Sequence, residues 1–242
     1  LYAPNTLQTH NMKKFWSILA VVLASCSAPA VYDWAPAGDK ISTPWAAEVN
    51  PENARPEYPR PQMVRKDWKN LNGLWDYAIT PASLPMMGEA DGKILVPFCV
   101  ESSLSGVGRR VGKDEVLWYR TTIESPESWE KTLLHFDAVD WAADVYVNGE
   151  LALSHTGGFT AFSLDVTEAL KNGPAEIAVR VFDPTDDPAW SIPRGKQVCN
   201  PNGIWYTPVT GIWQTVWMEN VPEAGYIADY NVRTDISTGE IA

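Results

Sequence analysis

Carboxylates are the side chains of this 242-residue chain most able to do chemistry, because the other reactive types lack the motifs that would activate them. Neither His135 nor His155 has a Gly-x-Ser-x-Gly turn beside it, so the sequence does not indicate a Ser-His-Asp triad. The glycine pair before Phe159 is followed by neither a Lys-Ser/Thr pair nor a helix, unlike a phosphate-binding loop. The candidate carboxylates are Glu48, Asp76, Asp137, Asp140, Asp144, Asp165, Asp183, Asp186 and Asp187.

Two carboxylates can hydrolyse a bond between sugars if they face each other about 5–10 Å apart and one of them keeps its proton. Spacing along the sequence does not establish that geometry. The densest acidic run, residues 183–188, contains Pro184 and Pro188 and is typical of a solvated turn. It lacks the regular spacing of a Ca²⁺ loop, so we predict no metal site. We also predict no cofactor.

Aromatic side chains form the second set with a chemical use, because an aromatic face stacks on the C–H face of a sugar ring. The chain has 12 Trp residues. Trp205 and Tyr206 lie in a loop bounded by Gly and Pro. Such loop residues line the rim of a site or a domain interface about as often as they have no such role. Trp213 and Trp217 alternate with polar residues in a predicted strand, which favours a place in the core.

The charge of the chain limits its partners. A formal net charge of −11 opposes binding to nucleic acid or to an anionic membrane surface, both of which need clustered Lys and Arg. A neutral glycan is the better partner, although acidity by itself mainly favours solubility. Arg194 and Lys196 are placed to face a substrate carboxylate, but loop charges that face solvent are the commoner arrangement.

The amino-terminal segment reads as an export signal. Met12-Lys13-Lys14 precedes an apolar run at 15–24, which is too short for a membrane span and typical of a secretory leader. Leu23-Ala24-Ser25-Cys26 resembles a bacterial lipobox, in which Cys26 is lipidated; a plain secretory signal is the alternative. We therefore expect a periplasmic or cell-surface lipoprotein of a bacterium that meets the membrane only through a lipid anchor, with residues 1–11 as upstream translation.

The remaining sequence predicts an all-β domain. Residues 27–65 are rich in Pro and form a tether and an extended lead-in, whereas residues 66–222 show short strands and no sustained helical period. The strands are predicted at 73–79, 93–96, 116–123, 131–136, 144–147, 175–182, 212–219 and 226–232. Asn148-Gly149 predicts a tight hairpin, and 167–170 predicts one helical turn capped by Asp165 or Thr167.

Cysteine usage leaves one question open. After the proposed processing at Cys26, Cys99 and Cys199 remain, and in an oxidising compartment they either pair or stay as two free thiols. Neither cysteine has the spacing of a metal ligand.

Three segments carry a resemblance to a known family. They are Leu71-Asn72-Gly73-Leu74-Trp75, Val147-Asn148-Gly149 and the run from Ile204 through Gly211-Ile212-Trp213-Gln214-Thr215-Val216-Trp217. Together they resemble the amino-terminal sugar-binding-type domain of glycoside hydrolase family 2, which includes β-galactosidases, β-glucuronidases and β-mannosidases. The resemblance implies a jelly-roll, galactose-binding-like β-sandwich.

The resemblance also implies a division of labour. The family's catalytic carboxylates lie in a later (β/α)8 barrel, so we expect no catalytic residue in this chain and no activity of the chain alone. Residues 223–242 would begin an immunoglobulin-like domain. The partners implied are a β-linked glycan and the immunoglobulin-like and barrel domains of the same polypeptide, which together would form a retaining β-glycosidase.

Candidate substrate-contacting residues follow from the same resemblance. The family commonly has a sugar-contacting Asp six residues before the glycine equivalent to Gly211, where this chain has Trp205. Asp114 falls roughly where another member has a sugar-contacting Asn. The full candidate set is Asp114, Asp140, Trp141, Arg194, Trp205 and Tyr206.

Two other functions fit the same fold. A free-standing carbohydrate-binding module on the cell surface is the main alternative to a part of an enzyme. A structural or adhesion sandwich would require that the aromatic residues be buried.

Overall fold

A computed structural model of the chain describes residues 33–242, so the predicted leader and Cys26 lie outside the described residues. Two antiparallel sheets, with strands numbered in chain order, form the described part. The smaller sheet has the order β1 (Trp68–Asn70), β12 (Val216–Val221), β5 (Lys131–Phe136) and β9 (Phe162–Asp165). The larger has the order β3 (Gly92–Val96), β2 (Gly73–Pro81), β4 (Glu115–Ile123), β10 (Ala175–Phe182), β7 (Ala142–Val147) and β8 (Glu150–Thr156).

Short elements complete the described part. β6 (Val139–Asp140) pairs with β11 (Gly211–Ile212), and β13 (Thr234–Asp235) pairs with β14 (Glu240–Ile241). The helical elements are α1 (Thr167–Leu170) and three 3-10 turns at Pro44–Glu48, Pro61–Met63 and Ser103–Ser105. Within residues 33–242, no helix combines the length and apolar character needed to cross a membrane.

Alternation of apolar and polar residues places the core between the sheets. On β5, Thr132, Leu134 and Phe136 are buried, while the residues between them are partly exposed. Trp75 and Tyr119 enter the same core from the larger sheet, with their ring centroids 6.5 Å apart. The described residues therefore form a β-sandwich, which confirms the predicted all-β, jelly-roll class.

Most local signals in the sequence are also confirmed. Asn148 and Gly149 adopt positive φ angles of 50° and 82°, as a tight hairpin requires. The helical turn at 167–170 is present as α1, but the predicted cap was wrong: the N-cap residue is Val166, without a side-chain cap hydrogen bond, and the Asp165 carboxylate accepts from the Thr167 N–H at 3.0 Å just before it. The strands predicted at 73–79, 93–96, 116–123, 131–136, 144–147 and 175–182 match the observed ones to within about two residues.

Other strand predictions were wrong. The strand predicted at 212–219 is two strands, because Gly211-Ile212 pairs with β6 whereas β12 pairs with β1 and β5. The segment predicted at 226–232 is not a strand; it is exposed and lacks a partner strand in the described part of the chain. Trp217 is buried as predicted, but Trp213 is only half-buried, and its indole nitrogen donates to the Gly158 carbonyl at 2.7 Å.

The lead-in is held on the smaller sheet by a buried carboxylate. Glu219 on β12 has a fully buried side chain that lies 2.6 Å from Arg60 and 2.5 Å from Arg65. His135 Nε2 lies 3.1 Å away, although without the alignment of a good hydrogen bond, and its ring stacks on Trp217 at 4.1 Å. Burial opposes ionisation of Glu219, but the histidine and the two guanidinium groups outweigh it and lower its pKa to about 2.

Gly211 provides a test of the packing between the sheets. Its φ is +94°, and a Cβ there would collide with the hydroxyl of fully buried Tyr119, whereas Gly149 has a similar φ and open space around it. We expect Gly149→Ala to lower the free energy of unfolding by about 1–2 kcal/mol, through backbone strain alone. Gly211→Ala should cost about 1–3 kcal/mol more, because overpacking is added to the strain.

Urea denaturation of the two variants measures this difference. The double variant Tyr119→Phe/Gly211→Ala should recover part of the loss relative to Tyr119→Phe, since the colliding oxygen is gone. Equal losses in the two glycine variants would contradict the packing argument.

Candidate functional site

One end of the sandwich gathers most of the predicted site residues. There the connection from β10 to β11, residues 183–210, folds over the pairing of β6 with β11. Three large aromatic side chains of this connection reach solvent: Trp190 is 48% exposed, Trp205 is 43% exposed and Tyr206 is 63% exposed. Exposed rings of this size on a loop can stack on a sugar or pack against another domain.

The loop that carries Trp205 and Tyr206 is folded back on itself. The Val198 N–H donates to the Tyr206 carbonyl at 3.0 Å, and the Tyr206 N–H donates to the Lys196 carbonyl at 2.9 Å. Arg194 lies over the Trp205 ring at 5.8 Å, and Lys196 lies over the Tyr206 ring at 5.9 Å. The two cations therefore support the aromatic rings, which contributes about 0.5–1 kcal/mol per pair at exposed sites.

Gln197 connects this loop to the sandwich. Its side-chain oxygen Oε1 accepts from the backbone N–H of Val209 at 2.6 Å, and its side-chain nitrogen Nε2 donates to the Asp140 carboxylate at 3.3 Å. Farther along, the Cys199 N–H donates to the Asp186 carboxylate at 3.1 Å, and Arg110 donates to the Cys199 carbonyl. The loop is therefore attached to β6 through Asp140, to an earlier part of the same connection through Asp186, and to the connection from β3 to β4 through Arg110.

Three buried carboxylates lie beneath the loop. Glu101, Asp140 and Asp183 are each 4% exposed. Burial, with a smaller effect from the charge of Asp183, raises the pKa of Asp140 to about 7. Burial likewise raises the pKa of Glu101 to about 7, against the hydrogen bonds from Thr210, and it raises the pKa of Asp183.

Thr210 joins two of these carboxylates. Its N–H donates to Glu101 Oε2 at 3.0 Å, and its hydroxyl donates to Asp183 Oδ2 at 2.6 Å. Thr185 adds a backbone hydrogen bond of 2.8 Å to Asp183. The second oxygen of Glu101 is buried and has no hydrogen-bond partner among the described residues, which makes the charged form of that carboxyl costly.

These carboxylates do not have the form of a glycosidase pair. Such a pair needs two carboxyl groups that face a sugar across an open pocket. Glu101, Asp140 and Asp183 are instead almost wholly buried and bound by neighbouring hydrogen-bond donors. Their arrangement supports the loop above them. No cluster of three or more His, Cys, Asp or Glu side chains within residues 33–242 is arranged to hold a metal ion.

The structure brings together five of the six predicted contact residues. Trp205, Tyr206 and Arg194 lie on the loop, and Asp140 is joined to it through Gln197. Trp141 follows Asp140, with its ring 6.3 Å from that of Trp190. Their contact with substrate stays a prediction.

Asp114 differs from the other five. Its side chain is 82% exposed and lies 2.6 Å from the Lys113 ammonium, so it belongs to the surface of the connection from β3 to β4. Its contact with substrate also stays a prediction.

Several residues of this end were missed or misjudged from the sequence. The prediction of a solvated turn at 183–188 was wrong for Asp183, which is buried because Thr185 and Thr210 satisfy its oxygens. Glu101 and Gln197 carried no local signal, since their partners lie far away in sequence. The aromatic Trp190 was recognisable only as a loop residue. Cys99 and Cys199 are both free in the described structure.

Comparison with known proteins finds similarity over part of the chain. Residues 92–196 match the family described as the glycosyl hydrolase 2 galactose-binding domain-like family. A β-galactosidase of Thermoanaerobacter pseudethanolicus is 36% identical over 110 residues, which are 43% of this chain and 14% of that protein. A β-galactosidase of Bacteroides ovatus is 28% identical over 162 residues, which are 66% of this chain and 15% of that protein. The chain thus spans a small part of either relative.

The solved structures agree on the fold. A β-glucuronidase of an uncultured Clostridium species superposes with a TM-score of 0.55 at 23% identity, covering 72% of this chain and 32% of that one. Likeness at this identity supports the β-sandwich and leaves the substrate of this chain open.

The buried carboxylates predict how stability depends on pH. In the unfolded chain Glu and Asp ionise near pH 4, whereas Glu101 and Asp140 in the folded chain hold their protons up to about pH 7. The folded state therefore binds more protons between these values, so the free energy of unfolding should fall as the pH rises through this window. We expect a loss on the order of 2–4 kcal/mol per group.

Urea denaturation at pH 5 and at pH 8 tests this expectation. Glu101→Gln and Asp140→Asn should each reduce the difference between the two pH values, because one buried group no longer titrates. Asp114→Asn serves as the control, since that side chain is 82% exposed. A wild-type chain that is more stable at pH 8 than at pH 5 would refute the assignment.

Proposed function

We propose that this chain is the amino-terminal, non-catalytic part of an exported β-glycosidase, and the match of residues 92–196 to the glycosyl hydrolase 2 galactose-binding domain-like family supports this. The full polypeptide would hydrolyse O-glycosyl bonds of β-linked glycans with retention, using two carboxylates of a (β/α)8 barrel outside this chain. The two named sequence relatives, which are β-galactosidases, support this reaction class.

The observation that best supports this proposal is the exposed aromatic loop and its attachment to buried residues of the sandwich. Trp205 presents a partly exposed ring that is supported by Arg194, and Gln197 fixes the loop to Asp140. A ring held in this way offers a preformed stacking surface, which costs little conformational entropy when a sugar binds. We propose that this end of the sandwich forms one wall of the substrate pocket, with Trp205 at the position where the family resemblance implies a sugar-contacting Asp.

Export and anchoring belong to the same proposal. The basic residues and apolar run at 12–24 and the lipobox-like Cys26 support a lipoprotein of the bacterial periplasm or cell surface. That location would place the enzyme where polymeric glycans are met.

The first test is the activity of the chain by itself. The 242-residue chain should not hydrolyse nitrophenyl β-galactoside, β-glucuronide or β-mannoside, because its raised-pKa carboxylates are buried beneath the loop. The measurement is release of nitrophenol, with a commercial β-galactosidase as a positive control. Turnover that rises with the concentration of the purified chain would refute a non-catalytic role.

The second test concerns Trp205 in the full-length enzyme. Trp205→Ala should lower kcat/KM at least about fivefold, since a stacked ring contributes on the order of 1 kcal/mol or more to binding. Trp205→Phe should retain most of the activity.

Two controls accompany this test. Leu151→Ala, at a residue 57% exposed on β8, should leave kcat/KM unchanged. The melting temperature of Trp205→Ala should stay close to that of the parent, because the ring is 43% exposed. Unchanged kcat/KM in Trp205→Ala would remove the loop from the pocket wall.

A further inference from the structure

The end of the sandwich opposite the aromatic loop contains an open cleft of about 580 Å³. It lies between the connection from β4 to β5, residues 124–130, and the connection from α1 to β10, residues 171–174. The two ends are opposite because Ile123 of β4 pairs with Ala175 of β10 beside the cleft, whereas Leu117 pairs with Val181 near the loop. The volume lies within the usual range for small-molecule sites, about 300–1,000 Å³.

An aromatic ring forms part of one wall. Trp129 is half-buried and packs on the main core. Its backbone N–H donates to the Pro126 carbonyl at 3.0 Å, which fixes the turn that carries the ring. Leu170, only 9% exposed, and Pro174 add apolar surface around it. The cleft therefore contains a fixed apolar patch of the kind that packs against the C–H face of a pyranose.

Polar groups surround this patch. Glu124, Glu127 and Glu130 line the cleft, are exposed, and form no ion pair with any side chain that the structure describes. On the other wall, Lys171 lies 2.5 Å from Glu168. The cleft thus has strong acceptors on one wall and an ammonium donor on the other, with an excess of negative charge.

The walls are tied to the sheets and need little ordering. The Thr132 N–H donates to the Thr167 hydroxyl at 2.9 Å, and the Val166 N–H donates to the Thr132 carbonyl at 3.0 Å. The Glu130 N–H donates to the Asn220 side chain at 2.9 Å. A cleft whose backbone is fixed in this way meets a main requirement of a binding site, which is that its groups are placed before the ligand arrives.

We propose that this cleft binds a short neutral oligosaccharide. Sugar hydroxyls both donate and accept hydrogen bonds, so they match a site with carboxylates on one wall and an ammonium group on the other. The excess of carboxylates repels a uronate, and the apolar patch of Trp129, Leu170 and Pro174 favours a ligand with a C–H face over an extended cationic peptide. The site would hold a glycan chain on the enzyme's domain independently of the aromatic loop, so it does not rest on the pocket-wall role proposed for Trp205.

The experiment is an NMR titration of the intact, ¹⁵N-labelled chain. The probes are lactose and cellobiose as neutral ligands, methyl β-glucuronide as an anionic one and trilysine as a cationic one. The Trp129 indole signal is assigned from the spectrum of Trp129→Phe, which keeps an aromatic ring on the core. We expect a neutral probe to shift that signal and those of residues 124–130 and 171–174, saturating with a dissociation constant in the range of about 1–10 mM.

Variants separate the cleft from other surfaces. Trp129→Ala should weaken binding at least about tenfold through lost stacking. Glu127→Gln, at an exposed side chain that leaves the fold intact, should weaken the neutral probe about threefold and allow methyl β-glucuronide to bind more tightly. Trp205→Ala, at the opposite end, should bind the neutral probe like the parent.

Four results would overturn the proposal. They are the absence of saturable shifts in the cleft up to about 20 mM of either neutral probe, shifts confined to residues 183–210, unchanged affinity in both Trp129→Ala and Glu127→Gln, and tighter binding of trilysine than of the disaccharides. None of these results changes the activity test of Trp205, so the cleft proposal and the pocket-wall proposal can be refuted independently.

Discussion

The hydrogen bonds of Thr210 are the constraint on which the functional end of this domain depends. One residue satisfies Glu101 through its backbone and Asp183 through its hydroxyl. The next two residues pair with β6, and the Ile212 N–H donates to the buried hydroxyl of Tyr119 at 3.1 Å. The end of the aromatic loop is therefore fixed at four points, Glu101, Asp183, β6 and Tyr119, within three residues, and this attachment limits the movement of the loop that carries Trp205 and Tyr206.

The domain buries carboxylates in two physically different ways. At the smaller sheet, Glu219 stays charged because two guanidinium groups and a histidine surround it, and it ties the lead-in to β12. Beneath the loop, neither Glu101 nor Asp140 forms an ion pair with a side chain of residues 33–242, so burial favours their neutral forms. The attachment at Glu219 therefore persists at neutral and alkaline pH, whereas the contacts of Glu101 and Asp140 weaken as the pH rises above about 7.

Features set by neighbouring residues could be predicted from the sequence, and features set by distant ones could not. The Asn148-Gly149 hairpin and the alternation on β5 are local consequences of turn chemistry and the two-residue period. The contact between Glu101 and Thr210 joins residues 109 positions apart, and no local pattern announces it. The strand predicted at 226–232 failed for a related reason, because strand-forming residues need a partner edge that the described part of the chain does not provide.

The two free cysteines of the described residues have a consequence for how the folded domain reacts with thiol reagents. Burial raises the pKa of Cys99 to about 12, and burial together with Asp186 raises that of Cys199 to about 11. At pH 7 the thiolate fractions are then only about one in 10⁵ and one in 10⁴, and thiolate is the form that attacks disulfides. Thiol exchange at either position of the folded domain is therefore slow, so the folded domain should react sluggishly with disulfides and thiol reagents near pH 7.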